Sequence, residues 1–162
     1  MLAQRKGDRS PSLATSQSAA YHSRRYQQLP YTMNIAIAIH GDAASSESPR
    51  LALRFARAAV AKGHGIHRVF FYHAGVNLAN SLIVQPQGEP DPAAEWATFA
   101  TEHGIELAVC VAAALRRGVL GSEDAARYER AATNVSPPFQ IVGLGQMVEA
   151  AITADRFVTF CA

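Results

Sequence analysis

Five short apolar runs, separated by stretches with helical spacing, constrain the fold of this chain more than any other feature. In the first run, residues 34–40, isoleucine alternates with alanine rather than with charged residues. Both faces of such a strand can be buried, which is typical of a parallel sheet that helices cover on both sides. Further strand cores are predicted at residues 69–72, 106–110, 139–142 and 156–160.

Helix signals lie between these runs. Ser48 is predicted as an N-cap with Pro49 in the first turn, Asp91 as the cap of a later helix that also has a proline in its first turn, and Ser122 as the cap of a third. A further helix follows the fourth strand, with apolar residues at positions 144, 147, 148, 151 and 152. The pattern therefore predicts an α/β fold: a three-layer α/β/α sandwich with a five-stranded, mainly parallel sheet.

The first 32 residues differ in composition from the rest of the chain. They are rich in Ser, Gln and Arg, and five basic residues against one acidic residue give them a net charge of +4. The whole chain carries +2, so the remainder carries −2 and gives no support for nucleic-acid binding. We expect residues 1–32 to be a disordered extension, explained by a start codon assigned upstream of Met33, with a targeting peptide as the alternative. Residues 33–162 are then one domain.

The lengths of the apolar runs and the number of cysteines indicate in which cellular compartment the protein works. The longest apolar runs fall well short of a membrane span, so no membrane association is expected. The chain has two cysteines, which form neither a CxxC pair nor a disulfide framework. We therefore expect a protein of a reducing compartment, the cytoplasm.

Cys110 is the strongest candidate for chemistry. It ends the apolar run 106–110, and the helix-forming run 111–118 follows at once. A cysteine at such a junction lies beside unpaired backbone N–H groups and the positive end of the helix dipole, which favour the reactive thiolate. The alternative is a small buried hydrophobic residue, because free cysteine often packs in cores. Cys161, next to the last residue, is assigned no role.

Other polar residues have simpler interpretations. Arg116 and Arg117 precede a helix-ending glycine and complement the dipole there, although Arg117 lies nearly on the helical face of Cys110, where it would help hold an anion or a persulfide. His40 ends a strand and is given no role. The six histidines lack metal-ligand spacing, so no metal site is predicted. No cofactor is predicted, because the 143–145 turn lacks the third glycine of a nucleotide-binding fingerprint.

Four sequence blocks together carry a resemblance to a known family, and the first runs from Cys110 to Gly118 (Cys-Val-Ala-Ala-Ala-Leu-Arg-Arg-Gly). The others are Phe70-Phe71-Tyr72 with Gly75-Val76 and Ala79-Asn80, then Gly143-Leu144-Gly145, then Asp155-Arg156. Together they resemble the TusD/DsrE family of sulfur-relay proteins. The resemblance spans residues 33–162, and residues 1–32 have no counterpart in it.

The resemblance implies a function. The family cysteine, which maps onto Cys110, receives sulfane sulfur as a persulfide from a TusA-like donor and passes it to a TusE-like acceptor, for 2-thiolation of the wobble uridine of tRNA. The resemblance also implies a heterohexamer with homologous TusB-like and TusC-like subunits. The chain is thus predicted to be a sulfurtransferase subunit with Cys110 as its catalytic residue, and no direct contact with nucleic acid is expected.

Two alternatives share this fold. A DsrE-type subunit would use the same chemistry in dissimilatory sulfur oxidation. A non-catalytic subunit of the same kind of complex would carry a buried thiol, so the accessibility of Cys110 discriminates it from the relay subunit.

Overall fold

The computed structural model describes residues 32–161, so the expectation of disorder for the extension concerns residues outside the described part. Five strands of the described part form one sheet in the order β4-β3-β2-β1-β5, and every neighbouring pair is parallel. The strands are β1 (Asn34–Ile39), β2 (Gly65–Phe71), β3 (Glu106–Cys110), β4 (Phe139–Val142) and β5 (Arg156–Phe160). The predicted fold class is confirmed, with a sheet that is parallel throughout.

Helices connect the strands. A 3₁₀ helix (His73–Ala79) follows β2, and the α-helices are α1 (Ser48–Ala61), α2 (Pro92–His103), α3 (Val111–Leu115), α4 (Ser122–Arg127) and α5 (Gly145–Thr153). None of the helices within residues 32–161 is long and apolar enough to cross a membrane.

Strand β2 shows that the sheet has a helix layer on each face. Phe71 packs edge-on against Trp96 of α2, with ring centroids 6.1 Å apart. Arg68, three residues earlier, instead bonds the backbone carbonyl of Gln146 and the carboxylate of Glu149, both on α5. Strand side chains alternate between faces, so an odd spacing places α2 and α5 on opposite sides of the sheet. Helix α5 also links β4 at one edge of the sheet to β5 at the other.

The core lies between the sheet and the α1–α2 layer. Ile37, Ile39 and Leu107 are fully buried, and Trp96 is the largest fully buried side chain, its indole N–H donating to the Pro49 carbonyl at 3.1 Å. A fully buried aliphatic or aromatic side chain contributes roughly 1.5–3 kcal/mol of transfer free energy. Ala36 and Ala38, which alternate with the isoleucines of β1, are buried as well, so both faces of this strand are buried, as the sequence predicts.

Two of the three predicted helix caps are wrong. Asp91 caps α2 as predicted, accepting hydrogen bonds from the backbone N–H groups of Ala93 and Ala94. Ser48 and Ser122 are instead the first residues of α1 and α4, and neither helix has a side-chain cap. Ser48 is buried where β5 ends, so its hydroxyl donates to the Cys161 carbonyl at 2.6 Å rather than accepting from its own helix.

Candidate functional site

Four residues line up at the carboxyl edge of the sheet. Val109, Phe71, Ile39 and Phe160 are in register across β3, β2, β1 and β5. The residue after each of them therefore belongs to one row: Cys110, Tyr72, His40 and Cys161. We call this set the edge row.

The edge row has a cysteine at each end. Three strand spacings separate the two cysteines, which puts them roughly 14 Å apart. Both thiols are free, and this separation is too large for a disulfide between them.

Cys110 stands at the strand-to-helix junction that the sequence predicts. It is the last residue of β3, with extended backbone angles, and α3 begins at the next residue. Its side chain makes no capping hydrogen bond to α3, and only 1% of the residue is exposed. The position is confirmed, but the thiol lies in the core and lacks the exposed approach that a persulfide acceptor needs.

An open cleft begins one residue away from this thiol. It has a volume of about 390 Å³, and its walls include Val111, the next residue in the chain, and Val142, the register partner of Cys110 on β4. Glu123 and Asp124 of α4 also line it. The cleft therefore adjoins the strand-to-helix junction that carries Cys110, without including Cys110 in its walls.

Asn134 holds the segment that follows α3, and no sequence pattern had singled it out. Its amide nitrogen donates to the Gly118 carbonyl at 2.9 Å and to the side-chain oxygen of Asn80 at 3.0 Å. Its own side-chain oxygen accepts from the Leu120 N–H at 2.6 Å. Asn134 is nearly buried, so these bonds fasten residues 118–120, and α3 before them, to the end of the 3₁₀ helix.

The two arginines after α3 stay on the surface. Arg117 directs one guanidinium nitrogen to the Ala113 carbonyl of its own helix at 3.3 Å, which agrees with the dipole interpretation. Arg116 is exposed and lines a separate surface pocket with Tyr128 and Arg130. Among residues 32–161, no three His, Cys, Asp or Glu side chains are grouped so that they could hold a metal ion.

The other end of the edge row is open to solvent. Cys161 is exposed, and its sulfur lies 3.8 Å from Nδ1 of His40. Its backbone is held on two sides: the Cys161 carbonyl accepts from the Ser48 hydroxyl, and the His40 N–H donates to the Phe160 carbonyl at 2.9 Å. Sequence reasoning missed this pair because β1 and β5 are neighbours only in the folded sheet.

His40 sits in a cluster of rings. Its imidazole centroid lies 5.5 Å from that of Tyr72 and 5.3 Å from that of His73. Burial lowers the pKa of His40 from its ordinary value of 6.5, and the charge of His73 lowers it further. The ring is therefore held in its neutral form over a wider pH range than a free histidine.

These features define an α/β sandwich protein with a thiol at the end of an inner strand. The chain belongs to the DsrE/DsrF-like family, whose sequence model matches residues 33–160. The resemblance seen in the sequence is thereby confirmed.

Relatives and a solved structure extend this finding. A sulfurtransferase TusD homolog of Pseudomonas aeruginosa is 48% identical over 128 residues, covering 79% of this chain and 97% of that protein. A DsrE protein of Allochromatium vinosum is 45% identical, with 79% and 98% coverage, and sulfurtransferase TusD of Serratia proteamaculans is 43% identical, with 79% and 99% coverage. The YchN protein of E. coli has the same fold, with a TM-score of 0.61 at 21% identity, covering 80% of this chain and all of YchN.

Proposed function

We propose that this chain is a sulfur-relay sulfurtransferase subunit that carries sulfane sulfur as a persulfide on Cys110. In this proposal a TusA-like protein donates the sulfur, and a TusE-like carrier takes it onward for 2-thiolation of the wobble uridine of tRNA. One observation carries the proposal: Cys110 ends an inner strand directly before a helix, in a chain whose TusD relatives are named sulfurtransferases.

Sulfur transfer requires one reactive group from the protein, the thiolate of Cys110. The Cys110 thiolate attacks the outer sulfur of the donor persulfide, the sulfur–sulfur bond of the donor breaks, and the donor leaves as a thiolate. The acceptor thiolate then repeats the same step on the Cys110 persulfide. The separation of Cys161 from Cys110 prevents discharge of the persulfide as an internal disulfide.

Burial of Cys110 sets the condition under which the relay works. A sulfur that is 1% exposed reacts only when the start of α3 opens or when a partner displaces it. Helix α3 has five residues, and the cleft lined by Val111 and Val142 adjoins it. The proposal therefore includes a local opening toward this cleft, which also shields the persulfide from reductants between transfers.

An exposed apolar stripe supports assembly with TusB-like and TusC-like subunits in a heterohexamer. Leu144, Val148 and Ile152 are 46%, 52% and 80% exposed, and their spacing of four places them on one face of α5. The inward face carries the buried Ala150, and the half-exposed Glu149 beside it pairs with the nearly buried Arg68 of β2. An apolar face of this kind marks a contact surface. Val148→Asp should abolish co-purification with these subunits while leaving the fold intact.

The test is sulfur loading of the full-length chain. The protein is incubated with a cysteine desulfurase, cysteine and a TusA-like carrier, and its intact mass is measured before and after reduction. A reductant-labile gain of one sulfur atom is expected in Cys161→Ser, where Cys110 is the sole cysteine, and should be absent from the variant that carries both Cys110→Ser and Cys161→Ser. No gain in Cys161→Ser with the partner subunits present would contradict the proposal.

Two other functions have an observation in their favour. A DsrE-type role in sulfur oxidation is favoured by the Allochromatium vinosum DsrE relative at 45% identity, and transfer to a tRNA-thiolating acceptor separates the two. A non-catalytic subunit is favoured by the burial of Cys110, and failure to load sulfur within the complex would establish it. In each case we place the protein in the cytoplasm, where thiols such as these two stay reduced.

A further inference from the structure

Cys161 has the surroundings of a reactive thiol, although the relay chemistry proposed above does not use it. Its sulfur is exposed, and the nearest ring nitrogen, Nδ1 of His40, lies 3.8 Å away, within hydrogen-bonding reach for sulfur. The Ser48 hydroxyl fixes the Cys161 backbone, and the rings of Tyr72 and His73 flank the imidazole. A thiol beside an oriented base is the arrangement that activates a nucleophilic cysteine.

We propose that Cys161 is a second persulfide-accepting thiol, for which His40 is the general base. Its substrates are hydropersulfides, R–S–SH, the same chemical class as the donor proposed for Cys110, and only this choice of class rests on the proposed function. With its ring proton on Nε2, His40 takes the thiol proton of Cys161 on Nδ1.

The reaction balances without an oxidant. The Cys161 thiolate attacks the outer sulfur of the hydropersulfide, a new sulfur–sulfur bond forms on Cys161, and the original one breaks. The leaving thiolate takes the proton from His40. The products are R–SH and a Cys161 persulfide, with no net oxidation or reduction.

Geometry separates this site from the buried one. The separation of roughly 14 Å across the edge row is too large for one sulfur to pass directly between the two thiols. Cys161 is therefore loaded from outside, at the open edge beside β5. A hydropersulfide can reach Cys161 without any movement of the protein, whereas Cys110 reacts only after the start of α3 opens.

The experiment uses the full-length Cys110→Ser protein, in which Cys161 is the sole cysteine, with glutathione persulfide as the probe. Intact mass should show a reductant-labile gain of one sulfur atom. Adding His40→Asn should slow this gain, and the reaction of Cys161 with iodoacetamide, by about tenfold or more, since the base is lost. His103→Asn, a ring on exposed α2 surface, is the matched control, and thermal unfolding checks that each variant is folded.

The outcomes separate this inference from the relay. No gain in Cys110→Ser, or an equal rate after His40→Asn, would overturn the Cys161 site and leave the relay intact. Desulfurase-dependent loading that persists in Cys110→Ser and disappears in Cys161→Ser would support the Cys161 site and overturn the relay role of Cys110.

Discussion

The two ends of the edge row carry the same residue in opposite surroundings. Cys110 is the last residue of β3, which lies between β2 and β4 inside the sheet, and it is buried. Cys161 follows β5, which pairs only with β1 at the edge of the sheet, and its thiol is exposed beside an imidazole. Each cysteine stands at the carboxyl end of a strand, and local sequence does not reveal which of the two is exposed. The place of the strand in the sheet order decides which thiol meets solvent.

A sulfur carrier needs both protection of its persulfide and a reactive thiol, and each of the two cysteines has one of these properties. A buried thiol protects a persulfide from reduction but reacts only through local opening. An exposed thiol beside a base reacts at once but loses its sulfur as readily. Measurements that compare the two thiols in one molecule therefore test both proposals.

The largest effect is expected in the native labelling rates. Iodoacetamide should modify Cys161 about 100-fold faster than Cys110, because an opening free energy of about 3 kcal/mol suppresses the buried thiol by that factor. Peptide mass spectrometry after timed quenching measures both rates in wild type. In denaturant the two rates should converge. Equal rates in the native protein would show that Cys110 is reachable without opening.

Truncating Asn134 should expose Cys110 selectively. Asn134→Ala leaves the Gly118 carbonyl and the Leu120 N–H without their partner, which costs about 1–3 kcal/mol of unfolding free energy. Cys110 labelling should accelerate, while Cys161 labelling stays unchanged. Urea unfolding and the same labelling assay measure both effects.

The control for Asn134→Ala is Thr101→Ala, which removes a hydroxyl bonded to the Ala97 carbonyl on exposed α2 surface. This change should leave both labelling rates unaltered. Acceleration of Cys161 to the same extent as Cys110 would mean that Asn134 supports the whole domain rather than α3.

Features that depend on near neighbours in the chain were predictable from the sequence. The Ile–Ala alternation of β1, the Asp91 cap and the Cys110 junction are all set within a few residues, and each was predicted correctly. The Ser48 cap failed because the partner of its hydroxyl is a carbonyl 113 positions away.

Features that depend on sheet order or helix orientation were not predictable. The His40–Cys161 contact requires β5 to pair with β1, and the burial of Cys110 requires β4 to lie outside β3. Apolar spacing identified α5, but not that its stripe faces outward. Ala150 of α5 packs inward and Glu149 pairs with Arg68 of β2, so the orientation depends on contacts between distant segments.

A smaller effect is expected at the open end from Ser48→Ala. Losing the hydroxyl that bonds the Cys161 carbonyl should lower the unfolding free energy by about 1 kcal/mol. The Cys161 backbone is then less well held against His40, so its iodoacetamide rate should fall toward that of His40→Asn, with Cys110 unchanged. Ser122→Ala, an exposed serine at the start of α4, is the matched control and should shift stability by less than about 0.5 kcal/mol. If both serine changes had the same effect on the unfolding free energy and on the Cys161 rate, Ser48 would not anchor Cys161.

The smallest effect is a pH dependence that belongs to the Cys161 end alone. Burial, and then the charge of His73, lower the pKa of folded His40 below 6.5. Between that lowered pKa and 6.5 the unfolded chain binds more protons at this position, so stability rises with pH through the window and falls as pH drops below 6.5. His40→Asn should flatten this slope in urea midpoints measured from about pH 7 to about pH 5.

The pH dependence that Asp42 gives to stability lies at lower pH than that of His40, so the two groups can be separated. Burial raises the pKa of Asp42, but hydrogen bonds from Ser45, Ala44 and Asn77 outweigh it and hold the pKa below 3.8. Its stabilisation is therefore present above 3.8 and lost as pH falls through the folded pKa. A slope that survives His40→Asn above about pH 5 would place the titrating group elsewhere, and would leave the Cys161 site to be judged by its labelling rates.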